Sequence, residues 1–199
     1  MQIVLLDTLT FGDTDLSAFD TLGAVDSYKT TAVEQTQERI TNATVIVTNK
    51  VVITKEHMLN AKELKLICIA ATGMNNVDLQ FAKQKNIEVK NVAGYSTNSV
   101  VQVSFAMIFH FISKLDYYKS YVDDGKWEKS AIFTHIDKPF FELDGKKVGV
   151  IGLGDIGSSF AKRAKAFDCE VVYYSTSGRN NNSEFKRVNL DELLKTSDI

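Results

Sequence analysis

Three glycines in one short segment constrain this chain more than any other feature. Gly152, Gly154 and Gly157 form a G-x-G-x-x-G pattern that follows an apolar strand-like run and precedes an amphipathic helical run. In such a strand–turn–helix unit, the first glycine permits a tight turn, the second lets a pyrophosphate approach the backbone, and the third lets helix and strand pack closely. The N–H groups and positive dipole end of the helix then bind the phosphates. The pattern predicts a nucleotide site, with a purely structural glycine turn as the alternative.

The composition limits the kinds of partner that the chain can have. A net charge of −2 over 199 residues, with scattered basic residues, gives no electrostatic reason to expect a nucleic acid or an anionic membrane. No signal peptide or membrane-spanning window is recognisable, so we expect a cytoplasmic protein without a membrane partner. Cys68 and Cys169 lie in apolar runs and are expected to be free, buried thiols.

Apolar runs alternate with helical patterns along the first hundred residues. Strands are predicted at 3–6, 45–48, 66–70 and 87–92, and helices at 32–43, 55–61 and 77–85. Near-continuous apolar strands separated by helices are typical of a parallel sheet covered on both faces.

A long helix and a second strand–helix series are predicted to follow. Thr97, Asn98 and Ser99 are typical capping residues for a helix that extends to about residue 120. The second series begins near Lys146. Its strands are predicted at 148–151 and 170–174, and a short helix at 190–195.

Four segments resemble the D-isomer-specific 2-hydroxyacid dehydrogenases, a family that includes glycerate dehydrogenases (hydroxypyruvate reductases) and D-lactate dehydrogenases. They are residues 70–79, 91–102, 142–157 and 188–199, in matching order and spacing. The wording of the first two segments is most similar to the glycerate dehydrogenase branch. The resemblance implies an α/β fold in which a flavodoxin-like substrate domain (1–98) precedes a partial Rossmann dinucleotide-binding domain (99–199).

The resemblance also implies ligands and partners. The cofactor would be NAD or NADP, and the substrate a small 2-keto or 2-hydroxy acid such as hydroxypyruvate or glyoxylate. A homodimer would form through the 99–120 helix. The identity of the 2-hydroxy acid stays open.

Site residues follow from the same resemblance. The loop Thr72, Gly73 and Met74 would offer backbone N–H groups to the substrate carboxylate, a tight structural turn being the alternative. Thr97 would contact the cofactor near its nicotinamide, a helix-capping role being compatible with this. The cofactor phosphates would contact Gly152, Gly154, Asp155, Ile156 and Gly157.

The residue that reads the adenosine ribose is expected about 20 residues after the glycines, near Ser175. NAD-specific sites usually carry Asp or Glu there, and this chain has neither at that position. Ser175, Thr176 and Arg179 could instead hold a phosphate through hydroxyl and guanidinium contacts. A solvated loop with an incidental arginine is the alternative, so the choice between NAD and NADP stays open.

The catalytic Arg, Glu and His that the resemblance leads one to expect have no counterparts here. His57, His110 and His135 are expected to be structural or solvated, and no metal-ligand or Ser-His-Asp pattern replaces them. We therefore expect the 199 residues to be an incomplete, inactive portion of a longer enzyme, with an uncovered sheet edge along 148–151. The alternative is a non-catalytic nucleotide-binding or dimerising protein.

Overall fold

The chain forms two compact units in the computed structural model, which describes residues 1–199 without a gap. The units are Met1–Tyr95 and Ser96–Ile199, so the division falls three residues before the predicted boundary. Each has its own parallel sheet and its own hydrophobic core. The functional assignment of the two units stays a prediction.

The first unit is built on a five-stranded parallel sheet with the strand order β2-β1-β3-β4-β5. The strands are β1 (Gln2–Leu5), β2 (Ala24–Ser27), β3 (Val45–Thr48), β4 (Leu66–Ile69) and β5 (Glu88–Asn91). This is the flavodoxin-like order that was predicted, in which ligands bind at the carboxyl ends of β1 and β3.

Three helices cover one face of this sheet. They are α1 (Val33–Ile40), α2 (Lys55–Asn60) and α3 (Leu79–Gln84), and they bury Ile40, Met58 and Phe81 against the strands. The opposite face lies under Phe11, Leu16 and Phe19, which come from a segment with two short 3-10 turns. The prediction of a sheet covered on both faces is confirmed, but a non-helical segment forms the second cover.

The second unit contains four helices and a three-stranded parallel sheet with the order β6-β7-β8. The elements are α4 (Thr97–Ser113), α5 (Leu115–Asp123), β6 (Lys147–Ile151), α6 (Asp155–Lys165), β7 (Glu170–Tyr174), β8 (Lys186–Arg187) and α7 (Leu190–Thr196). Buried Val148, Val150 and Tyr173 face α6 and α4, where the Phe105 ring stacks on Phe160 at 4.7 Å. These strands and α6 form the opening strand–helix–strand part of a Rossmann fold.

The prediction of one helix from 99 to 120 is wrong. Lys114 adopts the left-handed conformation (φ 51°, ψ 45°) between α4 and α5, and its N–H donates to the His110 carbonyl oxygen. The capping prediction is also wrong. Thr97 is already the first residue of α4, and Ser96 precedes it without a side-chain capping bond.

The outer edge of β6 is partly covered by the last two residues. The Asp198 N–H donates to the Lys147 carbonyl oxygen at 2.8 Å, and the Gly149 N–H donates to the Ile199 carbonyl oxygen at 2.8 Å. The Asp198 carboxylate also accepts from the Lys147 N–H at 2.8 Å. The expected uncovered edge is therefore confined to the end of the strand, where Ile151 is 57% exposed.

Both cysteines are free, as predicted, with Cys169 buried and Cys68 half-buried. None of the helices has the length and apolar character that a membrane span requires.

Candidate functional site

The glycine turn after β6 has the geometry that its spacing predicts. Gly152 has a φ of +89°, which side-chain-bearing residues rarely adopt, and its N–H donates to the Tyr174 carbonyl oxygen at 2.9 Å. A Cβ atom at Gly157 would collide with the carbonyl oxygen of Gly152. A Cβ atom at Gly154 would meet nothing within 4 Å. The first and third glycines therefore close the turn, whereas the second leaves its outer side open.

The open side lies at the start of α6. Gly154 is the N-cap residue and has no side chain, so no capping bond satisfies the first N–H groups of the helix. Asp155 and Ile156 form the exposed first turn, and their backbone N–H groups are available to a ligand. Free amides at the positive end of a helix form an anion site. The turn therefore fits the pyrophosphate of a dinucleotide.

The loop that follows β7 lies beside this turn. Ser175 is only 4% exposed, and its hydroxyl accepts from the Asn180 N–H at 3.4 Å. Thr176 and Arg179 are exposed. The Thr176 hydroxyl lies 4.0 Å from where a Gly152 Cβ would be. Of the three predicted ribose-site residues, Thr176 and Arg179 are thus accessible, and Ser175 is engaged within the loop.

Two residues at this loop were missed by the sequence analysis. The Asn180 side-chain amide donates to the Leu153 carbonyl oxygen inside the glycine turn, and the Asn180 carbonyl oxygen accepts from the Tyr173 hydroxyl at 3.1 Å. Arg187, on β8, donates from Nη1 to the Gly178 carbonyl oxygen at 3.2 Å. The register of β7 and β8 brings Arg187 to the loop, and no sequence spacing signals that pairing.

The loop after β4 in the first unit presents free backbone donors. The N–H groups of Thr72, Gly73 and Met74 meet no protein acceptor. The Thr72 carbonyl oxygen accepts from the Asn91 side-chain amide at 2.6 Å, and the Thr72 hydroxyl donates to the Val92 carbonyl oxygen at 3.3 Å. Thr72 and Gly73 are exposed, whereas Met74 packs against the core. The loop is therefore held from behind while its amides face solvent, as an anion-binding loop requires.

The adjacent loop after β3 was also missed. The buried Asp7 carboxylate, at the end of β1, accepts from the Asn49 N–H at 2.9 Å and from the Lys50 N–H at 2.7 Å. The Asn76 side-chain amide donates to the Val51 carbonyl oxygen at 3.1 Å, which ties this loop to the β4 loop. A cavity of about 360 Å³ opens beside Asp7 and Lys50 at the carboxyl ends of β1 and β3. A carboxylate that ends an apolar strand was the signal that could have identified Asp7.

The histidines are occupied by structural contacts. The His57 Nδ1 accepts from the Thr54 N–H at 3.2 Å at the start of α2. The His110 Nε2 lies 3.3 Å from an Asp116 carboxylate oxygen. Within residues 1–199 no group of His, Cys, Asp and Glu side chains could hold a metal ion.

His135 is engaged most closely. Its Nε2 lies 2.6 Å from the Tyr117 hydroxyl, and its ring stacks on Tyr121 with centroids 3.9 Å apart. It lies in the loop before β6, packed against α5. All three histidines therefore stabilise local structure.

Comparison with known proteins agrees with this site. Residues 105–199 match the family described as "D-isomer specific 2-hydroxyacid dehydrogenase, NAD binding domain". A hydroxypyruvate reductase from Blautia hydrogenotrophica is 34% identical over 206 residues, covering 100% of this chain and 64% of the relative. A glycerate dehydrogenase from Methylorubrum extorquens is 32% identical over 166 residues, covering 83% of this chain and 51% of the relative.

A solved structure matches as well. The crystal structure of a D-lactate dehydrogenase from Aquifex aeolicus, complexed with NAD and lactic acid, is 26% identical with a TM-score of 0.81. The match covers 100% of this chain and 59% of that one. The chain thus spans between about half and two thirds of the length of these relatives.

The fold and the glycine turn define a Rossmann-type dinucleotide-binding protein with a flavodoxin-like domain before it. More particularly, the chain belongs to the D-isomer-specific 2-hydroxyacid dehydrogenase family. Members of this family are NAD-dependent oxidoreductases that act on the CH–OH group of 2-hydroxy acids.

Proposed function

We propose that the protein is an NAD(P)-dependent D-2-hydroxyacid dehydrogenase that reduces a small 2-keto acid, such as hydroxypyruvate or glyoxylate, or catalyses the reverse oxidation. The observation that carries this proposal is the glycine turn, whose second glycine leaves the amide-lined start of α6 open to a pyrophosphate. The hydroxypyruvate reductase and glycerate dehydrogenase relatives support the choice of substrate class.

In this proposal the cofactor is held by backbone atoms. The N–H groups of Asp155, Ile156 and Gly157, at the start of α6, bind the phosphates, because they have no acceptor within the helix. Thr97, at the start of α4, contacts the nicotinamide end. The bound nicotinamide supplies or accepts the hydride.

The substrate carboxylate binds the N–H groups of Thr72, Gly73 and Met74. These donors are held in place before the substrate arrives, because Asn91 fixes the Thr72 carbonyl group and Asn76 fixes the neighbouring loop. Prepositioned donors lower the entropic cost of orienting the carbonyl carbon for hydride transfer.

The proton that accompanies the hydride requires a separate acid–base group. None of the three histidines is free for that role, because each is held by a structural partner. We therefore propose that residues 1–199 bind and orient the two ligands, and that the 199-residue chain alone turns over little or no substrate. A missing general acid lowers the rate by about 10²–10⁴-fold.

We also propose that the protein dimerises through α4. Val103, Met107 and Phe111 recur every four residues on this helix and are 50%, 59% and 74% exposed. Such an apolar stripe on a helix favours burial against another surface. Sedimentation of the wild type and of Phe111→Glu would test this proposal, because the charge should shift the protein toward monomer.

The decisive experiment measures oxidation of NADH and NADPH with a panel of 2-keto acids, using protein expressed from its complete reading frame. The proposal predicts turnover with at least one small 2-keto acid, and loss of that turnover in Gly154→Val. Absence of turnover with every acid, despite nucleotide binding, would favour the second candidate, a non-catalytic nucleotide-binding protein. That candidate is favoured by the structural engagement of all three histidines.

A further inference from the structure

The surface at the end of β7 carries positive charge without a compensating carboxylate. Residues 175–183 include Arg179 and contain no Asp or Glu. Arg187 reaches the same loop from β8. Neither arginine forms an ion pair, whereas Lys186, next to Arg187, pairs with Glu192 at 3.3 Å. The two guanidinium groups therefore keep most of their hydrogen-bond donors free.

The position of Arg187 follows from the sheet. Arg187 is paired in register with Tyr173, and Lys186 with Val172. Tyr173 packs in the core on the α6 side, whereas Val172 packs against α7 on the other side. Because side chains alternate between the faces of a strand, Arg187 lies on the α6 face and Lys186 on the α7 face.

The guanidinium of Arg187 is held at the loop by one bond. Its Nη1 donates to the Gly178 carbonyl oxygen, and its Nη2 lies 3.9 Å from where a Gly178 Cβ would be. A guanidinium has five N–H donors, so four remain for a ligand. Its planar donor arrangement matches the oxygens of a phosphate.

The loop itself is fixed to the glycine turn. The Asn180 side chain bonds the Leu153 carbonyl oxygen, and the Asn180 main chain bonds Ser175 and Tyr173. This anchoring places exposed Thr176 beside Gly152 before any ligand binds. The donors near the ribose end of the site are therefore preorganised with respect to the pyrophosphate end.

We infer that this site selects NADPH over NADH, and that Arg187 is a specificity-determining residue that binds the 2′-phosphate of the adenosine ribose together with Arg179. In dinucleotide-binding folds an acidic residue after the second strand accepts from the ribose hydroxyls and disfavours a 2′-phosphate, whereas an arginine favours it. This inference rests on the proposed function, because it assigns the cofactor of the same site.

Isothermal titration of the 199-residue chain with NADPH and NADH tests the inference without requiring turnover. The fragments 2′,5′-ADP and 5′-AMP, which differ by the 2′-phosphate, provide a second pair of probes. The wild type is expected to bind NADPH and 2′,5′-ADP at least about tenfold more tightly than NADH and 5′-AMP. This range is that of one charge-assisted hydrogen bond.

Variants locate the effect. Arg187→Ala is expected to weaken NADPH binding by about 10- to 100-fold and to leave NADH binding unchanged, because only the 2′-phosphate contact is lost. Lys186→Ala removes the same charge from the opposite face and is the matched control, which should leave both affinities unchanged. Thr176→Asp adds a carboxylate at the loop and is expected to reverse the preference toward NADH.

The possible outcomes separate the inference from the function on which it rests. Tighter NADH than NADPH binding by the wild type, or equal weakening of both by Arg187→Ala, would overturn the inference and leave the proposed function intact. Binding of neither dinucleotide would overturn both. A circular dichroism spectrum identical to that of the wild type would show that each variant is folded.

Discussion

At the scale of single residues, the second and third glycines of the turn have opposite surroundings. Gly157 faces the carbonyl oxygen of Gly152 so closely that any Cβ would collide with it, whereas Gly154 faces open space. The third glycine is thus required by packing between helix and strand, and the second by whatever approaches from outside.

Two alanine substitutions separate these roles. Gly157→Ala should lower the free energy of unfolding by about 1–3 kcal/mol, because the backbone must shift to admit the methyl group. Gly154→Ala should leave the free energy of unfolding nearly unchanged but weaken dinucleotide binding by about tenfold or more, because the methyl group occupies the approach of the pyrophosphate. Urea unfolding and fluorescence titration measure the two effects. Tight nucleotide binding by Gly154→Ala would contradict this assignment.

A second residue-scale prediction concerns Cys169. Burial raises the pKa of the Cys169 thiol, and the nearby Asp168 and Asp144 carboxylates raise it further. The neutral thiol is therefore favoured in the folded state. This contribution to stability is complete below the unfolded-state pKa of about 8.5 and is lost as the pH rises through the higher folded-state pKa.

Urea unfolding under reducing conditions, between pH 7 and pH 10, would measure this dependence. The wild type should lose more stability with rising pH than Cys169→Ala, which keeps Cys68. Only the pH slope is informative, because removal of the buried sulfur lowers stability at every pH. Parallel slopes for the two proteins would refute the assignment.

At the scale of elements, the break between α4 and α5 is the clearest departure from the sequence pattern. Lys114 takes a left-handed conformation that costs a side-chain-bearing residue about 1–2 kcal/mol. Glycine is the usual residue at such a helix end, and its absence is the reason that one continuous helix was predicted.

Lys114→Gly should therefore stabilise the protein by about 0.5–1 kcal/mol, since relief of the left-handed strain exceeds the added chain entropy of glycine. Ser120→Gly, on the exposed side of α5, provides the control and should destabilise by about 1 kcal/mol. Differential scanning calorimetry would measure both changes. A decrease in melting temperature for Lys114→Gly would show that the break is not strained.

Elements with a strong hydrophobic pattern were predicted correctly, and those without one were missed. β3 and β7 are apolar runs that fall at the predicted residues. β2 (Ala24–Ser27) was missed because three of its four residues are exposed, which leaves no alternation to detect. β8 has only two residues, both exposed, and is defined by its pairing with β7.

The site divides in the same way. The glycine turn could be predicted because backbone conformation constrains residue type within six consecutive positions. Asp7, Asn180 and Arg187 could not, because each acts on a loop from another element, and their partners are set by the topology of the sheet. Local chemistry is legible in a sequence, whereas contacts between elements need the fold.

At the scale of the whole molecule, the chain contains two units with separate cores. The aliphatic core of the first unit includes Leu6, Ile46 and Ile67, and that of the second includes Val148, Ala161 and Tyr173. The proposed nucleotide contacts all lie in the second unit, whereas the proposed carboxylate contacts lie in the first.

A ligand that binds one unit should stabilise that unit. NADPH at about one hundred times its dissociation constant should add about 2.7 kcal/mol to the stability of the second unit. In calorimetry we expect unfolding to be broader than two-state, and NADPH to raise the transition of residues 96–199 more than that of residues 1–95. Hydrogen exchange of single amides assigns each transition to its unit, and uniform protection of both units by NADPH would contradict the prediction.

The carbonyl oxygen of Leu153 accepts from both the Ser158 hydroxyl and the Asn180 amide, so one atom joins the glycine turn to the loop after β7. Substitutions that retune coenzyme choice in this protein would then succeed or fail according to whether they respect that joint. An engineer who exchanges the loop wholesale would disturb phosphate affinity as well as selectivity, whereas one who edits Thr176 and Arg187 and retains Asn180 would alter selectivity alone.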